Sequence, residues 1–191
     1  VHESLLVEND AVAAANRARL REHGIFSVNL MSSPGAGKTA LLETLIPQLA
    51  PLRCAVIVVD LQTDNDAQRI RKTGAPTRQI TTGQACHLDA RMVTEALDTL
   101  DLTAIDVLFI ENVGNLVCPA TFDLGEARRI ALLSVCEGDD KPAKYPTLFY
   151  KVDLMLVTKA DLLPYLQQFS PVRAEEALRG LANAAPCLTL S

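Results

Sequence analysis

With 191 residues, the chain has room for one medium domain and little more. Hydrophobic residues make up 49% and support a sizeable core, while aromatics at 4% require that core to be built mainly from Leu, Val, Ile and Ala. A formal charge of -5, with acids and bases interspersed, argues against nonspecific binding to nucleic acid or anionic lipid, and neither a membrane-spanning apolar run nor a signal-peptide pattern is present.

The first residue is Val1, which fits a trimmed N-terminus. The five cysteines include no CxxC pair, a usage that suits a reducing, cytoplasmic compartment rather than a disulfide framework. In chain order, a helix is expected at about residues 10–23 (Ala11 to His23), ended by Gly24. Ile25 to Met31 reads as a buried strand, Lys38 to Leu49 as a helix stopped before Pro51, and Ala55 to Asp60 as a second strand. Helical patterns follow at Ala67 to Arg71 and Ala90 to Leu100, and Ile105 to Glu111 is the third strand. Ile130 to Val135 and Val152 to Thr158 are two more. Ser170-Pro171 is an N-cap and first-turn pair for a helix to about Ala182, and Cys187 to Leu190 closes the list of strands. Near-continuous apolar strands separated by helices predict a single α/β domain over residues 1–191, a doubly wound, mostly parallel sheet. Its chemistry belongs at the carboxyl ends of the strands: Met31, Asp60, Glu111 and Thr158.

Between the first strand and its helix lies Ser32-Ser33-Pro34-Gly35-Ala36-Gly37-Lys38-Thr39-Ala40. This is a P-loop with Ser32 in place of the first glycine. Gly35 and Gly37 allow the backbone of Ser33 to Gly37 to curl around phosphate. Lys38 is expected to reach the β- and γ-phosphates, and the Thr39 hydroxyl to hold Mg²⁺. A carboxylate at Asp161, in Thr158-Lys159-Ala160-Asp161, can accept from N1–H and the 2-amino group of guanine, which adenine does not offer, and the Lys159 stem can lie along the base. GTP is therefore favoured over ATP. Asp60 and Glu111 compete for the Mg²⁺ and catalytic roles. Gly114, in Glu111-Asn112-Val113-Gly114, is positioned to sense the γ-phosphate.

Cys86 and His87 are adjacent, and Cys118 follows the third strand. Thiolate and imidazole suit nickel or zinc. Their spacing matches no recognised metal motif, however, and on the residues alone two buried thiols and an ordinary histidine are the simpler reading. Cys54 and Cys187 read as small core residues, and Cys136 stays outside any site.

Taken together, Ser32-Ser33-Pro34-Gly35, Thr63-Asp64-Asn65-Asp66-Ala67, Cys86-His87-Leu88-Asp89-Ala90, the run from Glu111 through Pro119, and Glu137-Gly138-Asp139-Asp140-Lys141-Pro142 resemble the hydrogenase-maturation nickel-insertion GTPases, the HypB family of the SIMIBI class of P-loop NTPases. The resemblance extends from Asn16-Arg17 to Pro164. It implies a Mg²⁺- and GTP-dependent homodimer that carries Ni²⁺ or Zn²⁺ on Cys86, His87 and Cys118. It also implies work with the small nickel protein HypA on a hydrogenase large-subunit precursor, and no nucleic-acid or membrane partner.

The chain departs from the family in several places. It shows no Cys-rich or His-rich N-terminal stretch, and its histidines are His2, His23 and His87. Ala40 replaces a frequent second Thr, and Thr158 replaces Asn and is expected to weaken a supporting hydrogen bond. The sequence ends at Ser191 where such proteins usually continue through a loop near the guanine carbonyl, a contact expected to be truncated or missing. A urease-type nickel GTPase lacks support because no Cys-Pro-His motif is present. A small-molecule kinase would need an arginine lid, for which Arg69, Arg71, Arg128 and Arg129 are the scattered candidates.

Overall fold

A computed structural model describes residues 2–60, 64–81 and 88–191, with side chains from Leu5 onward. Its elements are α1 (His2–Glu22), β1 (Phe26–Ser32), α2 (Lys38–Gln48), β2 (Cys54–Asp60), α3 (Asn65–Arg71), β3 (Thr77–Thr81), α4 (Ala90–Leu97), β4 (Val107–Gly114), β5 (Arg128–Ser134), α5 (Lys141–Lys144), α6 (Pro146–Phe149), β6 (Leu154–Thr158), α7 (Pro171–Arg179) and β7 (Cys187–Thr189). Seven strands form one sheet in the order β3-β2-β4-β1-β5-β6-β7, and every pairing is parallel.

Alternation along the strands sends side chains into two layers. Val28, Leu30, Val56, Val58 and Phe109 meet Leu42 and Ile46 of α2 and Ala67 and Ile70 of α3. On the opposite face, Ile57, Leu108 and Ile110 meet Leu20 of α1 and Val93 and Leu97 of α4. Farther along that face, Leu133, Met155 and Val157 meet Leu148 and Phe149 of α6 and Leu178 of α7. Both faces are thus covered, which is why the strands read as unbroken apolar runs.

Three expectations are corrected. The first helix begins at His2 rather than near residue 10. The sequence pattern predicts no strand at Thr77–Thr81; among the described residues this segment pairs with β2 alone, at the sheet edge, and carries half-exposed polar side chains, so it has little apolar signature. The third predicted strand does not end at Glu111 but continues to Gly114. Its pairing with β1 slips by one residue, from Leu30 opposite Glu111 to Ser32 opposite Gly114. A bulge of this kind re-aims side chains, and here it sits at the mouth of the cleft. Among the described helices, none is long and apolar enough to cross a membrane.

Candidate functional site

Strand β1 delivers the chain into the P-loop, where Gly35 and Gly37 take φ values of 72° and 100°. Left-handed backbone of this sort is resisted by any β-carbon. Gly37 is the N-cap of α2 and no side chain caps that helix, so the first-turn N–H donors and the positive helix end are left for an anion. The loop borders a cleft of about 420 Å³ shared with Ala40, Asp60, Asp66, Arg69 and the Glu111–Gly114 stretch of β4.

Two charges are buried side by side there: Lys38 is 8% exposed and Glu111 3%. The Lys38 ammonium donates to Ser32 Oγ at 3.0 Å, and Ser32 Oγ in turn donates to Ser33 O at 2.7 Å. Serine at the first P-loop position therefore anchors the lysine, which glycine there would not. Thr39 Oγ1 donates to Glu111 Oε1 at 2.7 Å, and Glu111 Oε2 is buried with no hydrogen-bond partner among the described residues. Burial holds the Lys38 pKa below the ordinary lysine value, against the pull of Glu111 and Asp66. Burial likewise pushes Glu111 above the ordinary carboxylate value, against the Thr39 hydrogen bond and Lys38. Both groups are under-compensated as charges, and an orphaned carboxylate oxygen beside a threonine hydroxyl is a donor set that fits a hard divalent cation.

Gly114 is required by contact rather than by φ. A β-carbon there would lie 2.8 Å from Pro34 Cα and 2.9 Å from Pro34 N, so the end of β4 touches the P-loop backbone directly. On the base-recognition side, Thr158 ends β6 and its hydroxyl donates to Ala36 O at 2.7 Å. Thr158 thus ties the segment to the P-loop backbone. Lys159 follows in left-handed backbone (φ 61°), a strained choice for lysine that points to a functional turn. Asp161 is exposed on the succeeding 3-10 turn, and Ala160 N donates to Leu190 O at 2.9 Å, joining that turn to the exit of β7.

The structure thus gathers Lys38, Thr39, Asp60, Glu111 and Gly114 around one cleft and ties Thr158 to its floor. Cys86 and His87 lie outside the described residues. Cys118 is half-buried at the start of a 3-10 turn (Cys118–Ala120) beyond β4, and its N–H is accepted by Asn115 Oδ1 at 3.3 Å. Among the described residues no group of three His, Cys, Asp or Glu side chains is arranged to hold a metal by itself, and none of the four described cysteines is in a disulfide. Of the arginines considered for a kinase lid, Arg69 lines the cleft but is bonded to Glu43 of α2. Arg71 is bonded to Asp64, and Arg128 and Arg129 open β5 at the other end of the sheet. Sequence reasoning assigned no role to Asp66 or Asn112 at the cleft. The position of Asp66 in the Thr63-to-Ala67 segment was the available signal.

Residues 26–188 match the family described as CobW/HypB/UreG, nucleotide-binding domain. The hydrogenase maturation factor HypB of Azotobacter vinelandii is 58% identical over 167 residues, covering 87% of this chain and 55% of that protein. The Escherichia coli K12 factor is 54% identical over the same length, with 58% of it covered. This chain therefore spans somewhat more than half the length of these relatives. The hydrogenase/urease maturation factor HypB of Helicobacter hepaticus is 47% identical over 191 residues, 98% of this chain and 78% of that protein. A crystal structure of HypB from Helicobacter pylori in complex with nickel superposes with a TM-score of 0.91 at 45% identity, covering 96% of this chain and 86% of the other. The GDP complex of signal recognition particle 54 kDa protein from Aeropyrum pernix, at 12% identity and a TM-score of 0.61, shares the fold alone. By sequence across the domain and by the shape of its sheet and P-loop, the chain belongs to the HypB group of the CobW/HypB/UreG nucleotide-binding family.

Proposed function

We propose that this chain is the GTP-hydrolysing domain of a cytoplasmic metallochaperone that assists nickel insertion into a nickel–iron hydrogenase precursor. The observation that carries the reading is the Thr39–Glu111 hydrogen bond beside buried Lys38, with one Glu111 oxygen left over. Ser33 to Gly37 cradle the phosphates, and Lys38 leaves Ser32 to bind the β- and γ-phosphoryl oxygens. Thr39, Glu111 and, from the cleft wall, Asp60 hold Mg²⁺. That ion, when bound, neutralises charge on the phosphates. The Gly114 N–H senses the γ-phosphate, and Asp161 and Lys159 read guanine with Thr158 fixing their distance from the P-loop.

Nickel is the cargo, held by Cys86, His87 and Cys118 in a homodimer and exchanged with HypA; Zn²⁺ is an alternative occupant. Because Cys118 lies four residues past Gly114, a β4 exit that follows the γ-phosphate would alter its place. The name of the Helicobacter relatives favours a second recipient, a urease precursor.

The test is hydrolysis of GTP against ATP without any acceptor. It is joined to the Ni²⁺ dissociation constant measured with GDP and with a non-hydrolysable GTP analogue. GTP-selective turnover and a 5- to 150-fold change in nickel affinity, the range of about 1–3 kcal/mol of coupling, are expected. Equal hydrolysis of ATP would defeat the guanine assignment. Equal nickel affinity in both states, or in Cys118→Ala, would remove the switch or that residue.

A further inference from the structure

Four polar side chains are buried where an apolar core would otherwise be continuous. On the face of the sheet covered by α1 and α4, β4 contributes to one apolar cluster and β5 to another. Strand β1 runs between them and places Asn29 there at 0% exposure, together with Asn112 at 1%, Asn16 at 2% and Glu126 at 5%. Their hydrogen bonds form one chain. Asn112 Oδ1 accepts from Val113 N at 2.9 Å, and its amide donates to Asn29 Oδ1 at 3.2 Å. Asn29 Nδ2 donates to Glu126 Oε1 at 3.3 Å. Glu126 Oε2 accepts from Leu124 N at 2.9 Å, and Leu124 O accepts from Asn16 Nδ2 of α1 at 3.2 Å. Arg129 balances the Glu126 charge.

Both ends of the chain are fixed by glycine contacts. At one end Gly114 abuts Pro34 of the P-loop. At the other, Gly125 (φ +91°) abuts α1, where an added β-carbon would lie 2.5 Å from Ala13 O and 2.9 Å from Arg17 N. Buried amides have given up their hydration and are costly if left unpaired, so a displacement at the end of β4 either breaks these bonds at a cost or moves their partners.

We propose that helix α1 reads the state of the nucleotide cleft through Asn112, Asn29, Glu126 and Leu124, and that docking of α1 and nucleotide preference are reciprocally coupled. This rests on the reading of the cleft as a guanine-nucleotide site. Asn29 and Glu126 are positioning residues, since neither lines the cleft.

Hydrogen exchange of the α1 segment 9–17 is measured in the intact chain with GDP and with a non-hydrolysable GTP analogue. Exchange rates differing threefold or more between the two are expected, and identical rates overturn the inference. In parallel, Gly125→Ala, which pushes on α1 from outside the cleft, is expected to change the ratio of GDP to GTP-analogue dissociation constants at least threefold. The same substitution made on an Asn29→Ala background, with the chain cut in its middle, is expected to leave the ratio unmoved. An equal shift on both backgrounds overturns the proposal. Should Gly125→Ala not fold, Asn16→Leu takes its place in the same cycle, with the same two readings. A wild-type chain that binds neither nucleotide would overturn the proposed function and this inference with it; nucleotide binding without coupling would overturn this inference alone.

Discussion

At the amino end of the sheet, Arg53 forks onto Asp106 through bonds of 2.9 and 2.7 Å, and Asp153 accepts from Arg129 N at 2.8 Å. Arg17 holds Asp123 with two bonds of 2.7 Å. At the carboxyl end, among the described residues, the Lys38 ammonium donates to a serine hydroxyl alone and Glu111 keeps one oxygen unbonded. The same strands begin among matched charges, most of them reached by water, and finish among buried charges that are mismatched. Matched, exposed pairs contribute little and ask for nothing further. Buried, unmatched ones lower stability until something binds, so the difference between the two ends marks where the ligand goes.

The comparison can be broken most sharply at Lys38. Lys38→Ala is expected to reduce GTP turnover about 100-fold or more while the domain stays folded, by analogy with loss of a preorganised charge donor; turnover and circular dichroism together check it. Next, Gly114→Ala drives a methyl group against the Pro34 backbone. It should lower stability by about 1–3 kcal/mol, as overpacking does, and weaken GDP binding with it; calorimetric titration and thermal melts read both.

Glu111→Gln sharpens the contrast instead. Removing a buried charge with an unpaired oxygen should stabilise the nucleotide-free protein by about 1–3 kcal/mol while Mg²⁺-dependent GTP binding falls. Lower stability in denaturant melts would contradict it. The smallest effect belongs to the amino end. Arg53 holds the Asp106 pKa down to about 2. A depressed carboxylate contributes stability that is present above the unfolded value of about 3.9 and lost as pH falls through the folded one. Asp106→Asn should therefore flatten the acid limb of the stability curve between about pH 4 and pH 2 and leave neutral-pH turnover unchanged, as pH-dependent melts and assays would show.

Much of the architecture was legible because burial on both faces writes strands as apolar runs, and because Gly35 and Gly37 ahead of Lys38-Thr39 have few other uses. Thr77–Thr81 was illegible for the opposite reason: an edge strand with Thr, Arg and Gln on it looks like a loop. Asn112 looked like the start of a loop as well, since asparagine is a turn residue, yet its amide is satisfied by Asn29 from a strand 83 positions away. Ser32 departs from the motif, and only the folded P-loop sets its hydroxyl on the Lys38 ammonium. Pairings such as these depend on strand order, which puts β4 and β5 on either side of β1, and no local pattern encodes that order. The roles of Cys86 and His87 rest on family resemblance, because their spacing matches no metal motif.

The Thr158–Ala36 hydrogen bond spans 122 positions, and β1 is flanked by two strands that come later in the chain. Emerging from the ribosome, the polypeptide carries its P-loop residues long before it has anything to brace them: the neighbours of β1 are synthesised only after residue 107, and Thr158 later still. Vectorial synthesis therefore translates the phosphate loop before the strands that brace it, and completes its cradle only once they have been made. Competence to bind nucleotide becomes a late event, acquired when β6 docks, and a chain stopped short of it would present the motif without the cradle.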